Sequence, residues 1–250
     1  MRNIFFLLSV LILFPFSSGA AENGRNSDFK NEVLQIQNVI DEPVTDTLSQ
    51  YMFGINTRFY SGGGTRLDLS FGVWDSLNLG ISMTVDELVG SGTSVRMRTP
   101  EVNLKWRFYD GNMNIPSFAI GYDGQGYYYD SDEKEYAEEK RGLYLVSNYT
   151  FFSSLLTSCG FNMSDFDNNH IFAFIGLNYT IQNRVALMAE YDNLFESHET
   201  NRFNAGIRFF VTPNVNIDFA AREIGTTKDF PNGERAHSER IVQARYITRF

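Results

Sequence analysis

From Tyr51 to the C-terminus the chain alternates apolar residues with small or polar ones, at a period of two. Phe53, Ile55, Thr57 and Phe59 stand against Gly54, Asn56, Arg58 and Tyr60. Leu67, Leu69, Phe71 and Val73 stand against Arg66, Asp68, Ser70 and Gly72. The same alternation returns over 77–85, 102–109, 118–123, 171–181, 185–192, 203–211, 215–222 and 242–250. Successive side chains of a strand point to opposite faces, so this period marks strands and excludes amphipathic helices. Residues 142–151 and 155–163 read as strands with blurred alternation. The pattern predicts about twelve strands of about nine to eleven residues, the length a tilted strand needs to cross a bilayer.

The connections carry a second signal. After the even strands they are short: 75–76, 110–116, 152–154, 182–184 and 212–214. After most odd strands they are longer and polar: 86–100, 128–141, 164–169, 195–201 and 224–238. The exception is 61–64, where Gly62-Gly63-Gly64 reads as a hairpin turn; no Lys-Ser/Thr follows to make it a phosphate cradle. Short turns at one end and long loops at the other are the asymmetry of an outer-membrane barrel, with the short turns facing the periplasm.

A soluble β-sandwich also alternates, with its apolar side chains packed inward. Here the second face is Gly, Ser and Asn with Arg, Asp and Glu, which suits a wet lumen better than a solvent face. Aromatic residues gather at strand ends (Tyr60, Trp74, Tyr109, Tyr127, Tyr128, Tyr129, Phe151 and Phe152), as interfacial girdles require. In lipid every backbone polar group must be paired, and closing a sheet into a barrel removes its edges. The expected fold class is therefore all-β: a closed antiparallel transmembrane β-barrel of about twelve strands over 51–250.

Composition excludes other classes. With 23 Phe and 13 Tyr among 250 residues, the aromatic load is too high for a disordered chain. One Cys, Cys159, cannot form a disulfide within the chain. A net charge of −9 disfavours nucleic acid as a partner.

Residues 1–21 read as a secretory signal peptide: Arg2, an apolar run over 4–16, and the small residues Ser17-Ser18-Gly19-Ala20-Ala21. Residues 22–50 are polar and aromatic-poor, with Val33, Ile36, Val39 and Ile40 at a weak helical spacing. They are expected to form a periplasmic N-terminal segment, with a path either short of the barrel or into its lumen.

The terminal strand, Val242, Ala244, Tyr246, Thr248 and Phe250, resembles the C-terminal signal of bacterial outer-membrane proteins. That resemblance implies Tyr246 and Phe250 as the membrane-insertion signal, and the barrel assembly machinery and outer-membrane lipid as partners. Ile40-Asp41-Glu42-Pro43-Val44-Thr45, Arg58-Phe59-Tyr60-Ser61-Gly62-Gly63-Gly64, the run over 70–80 and Met188-Ala189-Glu190-Tyr191-Asp192-Asn193 resemble a family of bacterial outer-membrane proteins. Some of its members are associated with exopolysaccharide biosynthesis or secretion. The resemblance implies an outer-membrane location and a polysaccharide link, and transfers no catalytic signature.

The three His, at 170, 198 and 237, fall at loops beside acidic residues, but no motif sets a nucleophile next to a base. Asp165, Asp167 and Asn169 begin a calcium-loop spacing that fails at His170 and Gly176. The acidic stretch of Asp130, Asp132, Glu133, Glu135, Glu138 and Glu139, beside Tyr127–Tyr129 and Tyr136, reads as a solvated outer loop or a docking platform. No cofactor, metal or enzyme activity is expected. The functional candidate is the inward set: Arg58, Arg66, Asp68, Lys105, Arg107, Asp123, Glu190, Asp192, Arg208, Asp218, Arg222, Arg245 and Arg249. Its basic excess favours small anionic or sugar-like solutes in a narrow, porin-like channel or an export-associated barrel. A structural or adhesive barrel with a closed lumen, and a rim hydrolase, are the alternatives.

Overall fold

The computed structural model describes residues 34–89, 95–130, 135–138, 141–164, 171–194, 201–226, 228–229 and 235–249. Twelve long strands make the barrel. They are β1 (Met52–Tyr60), β2 (Gly64–Trp74), β3 (Leu77–Asp86), β4 (Glu101–Tyr109), β5 (Ser117–Asp123) and β6 (Gly142–Phe151). Then follow β7 (Leu155–Met163), β8 (Phe172–Ile181), β9 (Val185–Leu194), β10 (Arg202–Thr212), β11 (Val215–Arg222) and β12 (Glu239–Arg249). Each pairs antiparallel with the next, and β12 returns to β1, with Met52 opposite Arg249 and Phe59 opposite Val242. The sheet is closed, so the barrel has no free edge strand. Tight turns join β2 to β3 and β10 to β11, and register shifts at 72/74 and 210/212 lead into them. At the opposite end, short strands decorate the loops: Arg96–Met97 on β3, Tyr127–Asp130 with Glu135–Glu138, and Lys228–Asp229 with Arg235–Ala236.

The barrel is inside out relative to a soluble protein. On adjacent strands, Arg208 is 0% exposed, Asp218 2% and Gln243 1%, while their outward neighbours Phe209, Phe219 and Val242 are 42%, 51% and 40% exposed. A continuous exposed apolar surface of this kind calls for a hydrocarbon solvent rather than water. No helix among the described residues is long and apolar enough to cross a membrane; strands form the spanning surface. The molecule is an outer-membrane-type β-barrel.

Strand parity explains two departures from the sequence pattern. In β6 and β8 the inward positions include Tyr144, Val146 and Phe174, which cluster with Ala119 inside the lumen. Both faces are apolar there, and this blurs the alternation of β6. The aromatic girdle also needs correction. Trp74, Tyr109, Phe151 and Phe152 are exposed at the turn end. Tyr60, however, shares the parity of Arg58 and turns inward, its hydroxyl donating to Asp86 Oδ1 at 2.6 Å. Tyr129 stacks edge-on with Tyr136 and lies beneath the Arg98 guanidinium, so it lines the mouth.

Residues 34–50 do not stop short of the barrel. They run inside it, with Val39, Glu42, Val44 and Leu48 each 0% exposed. Of the two paths open for this segment, the structure has the luminal one, and the periplasmic assignment is corrected for these residues. The small residues of the inward face make the space. A Cβ on Gly72 would lie 2.1 Å from the Ser49 carbonyl oxygen, and one on Gly176 would lie 3.0 Å from Val39 Cγ2.

Candidate functional site

The lumen is built by the barrel wall and the inserted segment together. At residues 38–43 the segment folds back on itself: Asn38 bridges Pro43, and the Val39 amide donates to the Glu42 carbonyl at 2.9 Å. This fold aims three successive amides outward at one wall carboxylate. Glu190 Oε1 accepts from the amides of Ile40 (2.5 Å), Asp41 (2.9 Å) and Glu42 (2.7 Å). Converging backbone N–H groups of this kind form an anion nest. Here the nest belongs to the segment and the anion to the wall.

The complementary contacts run the other way. Arg208 of β10 donates to the Val39 carbonyl at 2.7 Å and the Asn38 carbonyl at 3.2 Å, and Arg58 of β1 donates to the Ile40 carbonyl at 3.0 Å. Lys105 of β4 donates to the carbonyls of Gln37 and Asp46 at 3.0 and 3.1 Å. Asp41 is held between two strands, by Arg58 Nη1 and Arg222 Nε, each at 2.5 Å. Burial alone would raise its carboxyl, but Arg222 and Arg58 outweigh that and hold it well below the usual carboxylate range. Burial pushes the Glu42 carboxyl well above its usual range; Arg141 opposes the rise, and Asp192 and Glu190 add to it.

Most predicted lumen residues are where parity puts them. Arg208 pairs with Asp218 at 2.8 Å, and Arg66 with Asp68 at 2.6 Å. Asp192 meets Arg202 at 2.5 Å and Arg141 at 3.1 Å. Asp123 and Arg245 line the inner cavity. Two basic residues depart from this set. Arg107 leans toward the turn end and pairs with the exposed Asp110 at 2.7 Å, and Arg249 is exposed at the end of β12; neither lines the two luminal cavities described below. Tyr246 faces outward between Val215 and Ile55, and Phe250 lies outside the described residues. Asp165, Asp167, Asn169, His170 and His198 also lie outside them, as does part of the acidic stretch; His237 is exposed at the mouth. Sequence reasoning missed Asp41, Glu42, Arg141 and Arg202. Arg202 was within reach: it lies six residues before Arg208 and shares its parity.

The segment fills the lumen unevenly. Its apolar side chains Ile36, Val39, Ile40 and Val44 pack on Met188 of β9 and Ile241 of β12, with Leu156 and Ala220 alongside. The space left over lies mainly against β1 to β5. It is a cavity of about 120 Å³ that reaches from Arg58 down to Gly54 and Ile247, near the turn end of the strands. A second cavity of about 430 Å³ opens at the loop end, and the two share Arg58, Arg66 and Gln125 as common lining. Six basic residues line the inner cavity (Arg58, Arg66, Lys105, Arg141, Arg202, Arg245) against four acidic ones (Asp41, Asp68, Asp123, Asp192). The outer cavity has Arg58, Arg66, Arg96, Arg98 and Arg222 against Asp86, Glu87, Glu223 and Glu239. Among the described residues no cluster of three or more His, Cys, Asp or Glu is placed to hold a metal ion.

The fold resembles that of solved porins. The KdgM porin in complex with disordered oligogalacturonate superposes with a TM-score of 0.51 at 11% identity, over 78% of this chain and 98% of its own. The KdgM porin alone gives 0.47 at 12% identity over the same shares, 78% and 98%. A Rhodopseudomonas blastica porin mutant gives 0.36 at 12% identity, over 74% of this chain and 55% of its own. Identities this low speak to the fold. No family model and no curated protein sequence matches the chain. The likeness to exopolysaccharide-associated barrels therefore rests on the quoted motifs.

Proposed function

We propose that this protein is a narrow outer-membrane channel for anionic, sugar-like solutes, and that they pass beside the seated N-terminal segment. The observation that carries the reading is the uneven filling of the lumen. Two cavities with shared lining run from the loop end nearly to the turn end, and basic residues outnumber acidic ones in both. A charged constriction of this kind selects by charge. Oligogalacturonate, the ligand in the solved KdgM complex, is an example of the solute class. A polysaccharide-export role belongs to the same reading, since an acidic polymer presents the same chemistry. Residues 1–21 serve as a cleaved export signal, Tyr246 and Phe250 as the insertion signal, and the barrel assembly machinery as the partner in folding. No residue is assigned a catalytic role.

The second reading, a structural barrel with a closed lumen, is favoured by the many ties that fix the segment. Planar-bilayer recording separates the two. A small current with a reversal potential displaced toward the anion supports the channel. Current no greater than the lipid background, from protein that shows heat-dependent gel migration, assigns the closed barrel instead.

A further inference from the structure

Inside the inner cavity one basic side chain has no hydrogen-bonded or ion-paired partner; Asp218 and Asp68 attract it only through space. Arg245 is 4% exposed, lines the cavity and makes no hydrogen bond or ion pair among the described residues; its buried Nη1 has no partner. Its strand neighbours on either side are Asn56 and Asn216, not acids. Three more buried atoms of cavity-lining residues are also unmatched: Asn56 Oδ1, Asn78 Oδ1 and Gln37 Nε2. The orientation of Asn56 is set, because its Nδ2 donates to Asp68 Oδ2 at 2.7 Å. The Asn78 and Gln37 amides share one hydrogen bond of 3.3 Å, which leaves one donor and one acceptor over whichever way the pair is turned.

The four orphan atoms are thus two donors, one of them on a guanidinium, and two acceptors. A bare inorganic anion matches the donors and leaves the amide oxygens unpaired. A neutral sugar matches the oxygens and leaves Arg245 with only the through-space pull of Asp218 and Asp68, which Arg208 and Arg58 oppose. A molecule carrying both a carboxylate and hydroxyl groups matches all four. The volume of about 120 Å³ holds on the order of ten waters, the scale of one sugar unit and not of a chain.

We propose that the inner cavity is a binding site for a single sugar acid, built jointly from Arg245, Asn56 and Asn78 of the wall and Gln37 of the inserted segment. The site deepens the channel reading, on which it rests for the route of entry. Because Gln37 belongs to the segment, the ligand-bound state is one in which the segment stays in place.

The test is equilibrium dialysis of the full-length protein, folded in detergent micelles, against labelled D-galacturonate, D-galactose and acetate. Galacturonate is retained about tenfold more tightly than either of the others, the size expected for one charge-assisted hydrogen-bond set. Arg245→Gln brings the ratio of acid to neutral sugar close to one, while Gln37→Ala weakens both sugars alike. Arg245→Lys keeps the charge without the fork and retains part of the preference, and it serves if Arg245→Gln fails the heat-migration check. Equal retention of all three probes by the wild type, or a preference that survives Arg245→Gln, means that the cavity holds only water and overturns the site. Binding without bilayer current would sink the channel and leave the site standing; current without binding would do the reverse.

Discussion

The carboxylate of Glu190 on the barrel wall accepts the backbone amide of Asp41 through both of its oxygens, at 2.9 and 3.1 Å. The two residues are 149 positions apart, and the contact anchors the N-terminal segment to β9. Both groups are acidic, so the link depends on the amides of 40–42 surrounding Glu190 while Arg58 and Arg222 neutralise the Asp41 side chain. Seating the segment is an exchange of charges between wall and insert, and each part of it can be removed separately.

Glu190→Gln keeps the shape and removes the anion from the nest. Hydrogen bonds to charged groups contribute about 1.5–3 kcal/mol, so the segment loses roughly that much of its seating. Protease cleavage within 34–50 is expected to accelerate, while the barrel keeps its heat-dependent migration. Unchanged cleavage rates would mean that the nest does not hold the segment.

Asp41→Asn leaves Arg58 and Arg222 facing a neutral amide. Breaking one partner of a buried ion pair costs about 3–5 kcal/mol. Arg222 keeps Glu239 at 2.6 Å and Arg58 keeps Gln243 at 2.9 Å, so the loss falls at the low end of that range. Hydrogen exchange of the amides of Ile40, Asp41 and Glu42 reports it, with protection falling together at all three.

The fold was legible in the sequence to a large extent, and the segment was not. All twelve strands sit where they were expected, ten of them marked by the period of two, because lipid on one side and a wet lumen on the other act on alternate residues; β6 and β7 carry the pattern less clearly. Arg208 and Phe209, adjacent in the chain and opposite in burial, show this in one step. Tyr60 could have been read as luminal from the parity it shares with Arg58. The path of 34–50 carries no such periodicity. Its place depends on pairings such as Asp41 with Arg222, 181 residues away, and on backbone carbonyls that no side-chain pattern announces. Gly72 and Gly176 of the inner face leave room that Ser49 and Val39 of the segment take, a fit that no strand periodicity announces.

Glu42 makes the seating sensitive to pH. Its carboxyl is raised by burial above the ordinary value of 4.5, so the seated state binds a proton that the released segment gives up. Seating is therefore strongest below the ordinary glutamate range and weakens as pH climbs toward the raised value. Glu42→Gln mimics the protonated acid. It is expected to flatten the pH dependence of protease cleavage and to protect the segment at least as well as wild type at alkaline pH. Parallel pH profiles for the two proteins would contradict this role.

Ile207, in the middle of β10, is 40% exposed on the outer face. In a water-facing sheet Ile207→Arg is nearly neutral, within about 0.5 kcal/mol. On a lipid face near the bilayer midplane it costs about 2–4 kcal/mol. Unfolding of the barrel in lipid vesicles by denaturant measures the difference, and a neutral result would remove the hydrocarbon from that face.

The most direct measurement of the whole account uses the contact between Thr45 of the segment and Ser117 of β5, whose hydroxyl oxygens lie 2.6 Å apart. With Thr45→Cys and Ser117→Cys introduced and the exposed Cys159 replaced by Ser, oxidation is expected to link segment to wall in nearly every molecule. Bilayer current through the linked barrel should equal that of the reduced protein and stay anion-selective, since the path runs beside the segment. Failure of the pair to link, or current that appears only after reduction, would contradict the account.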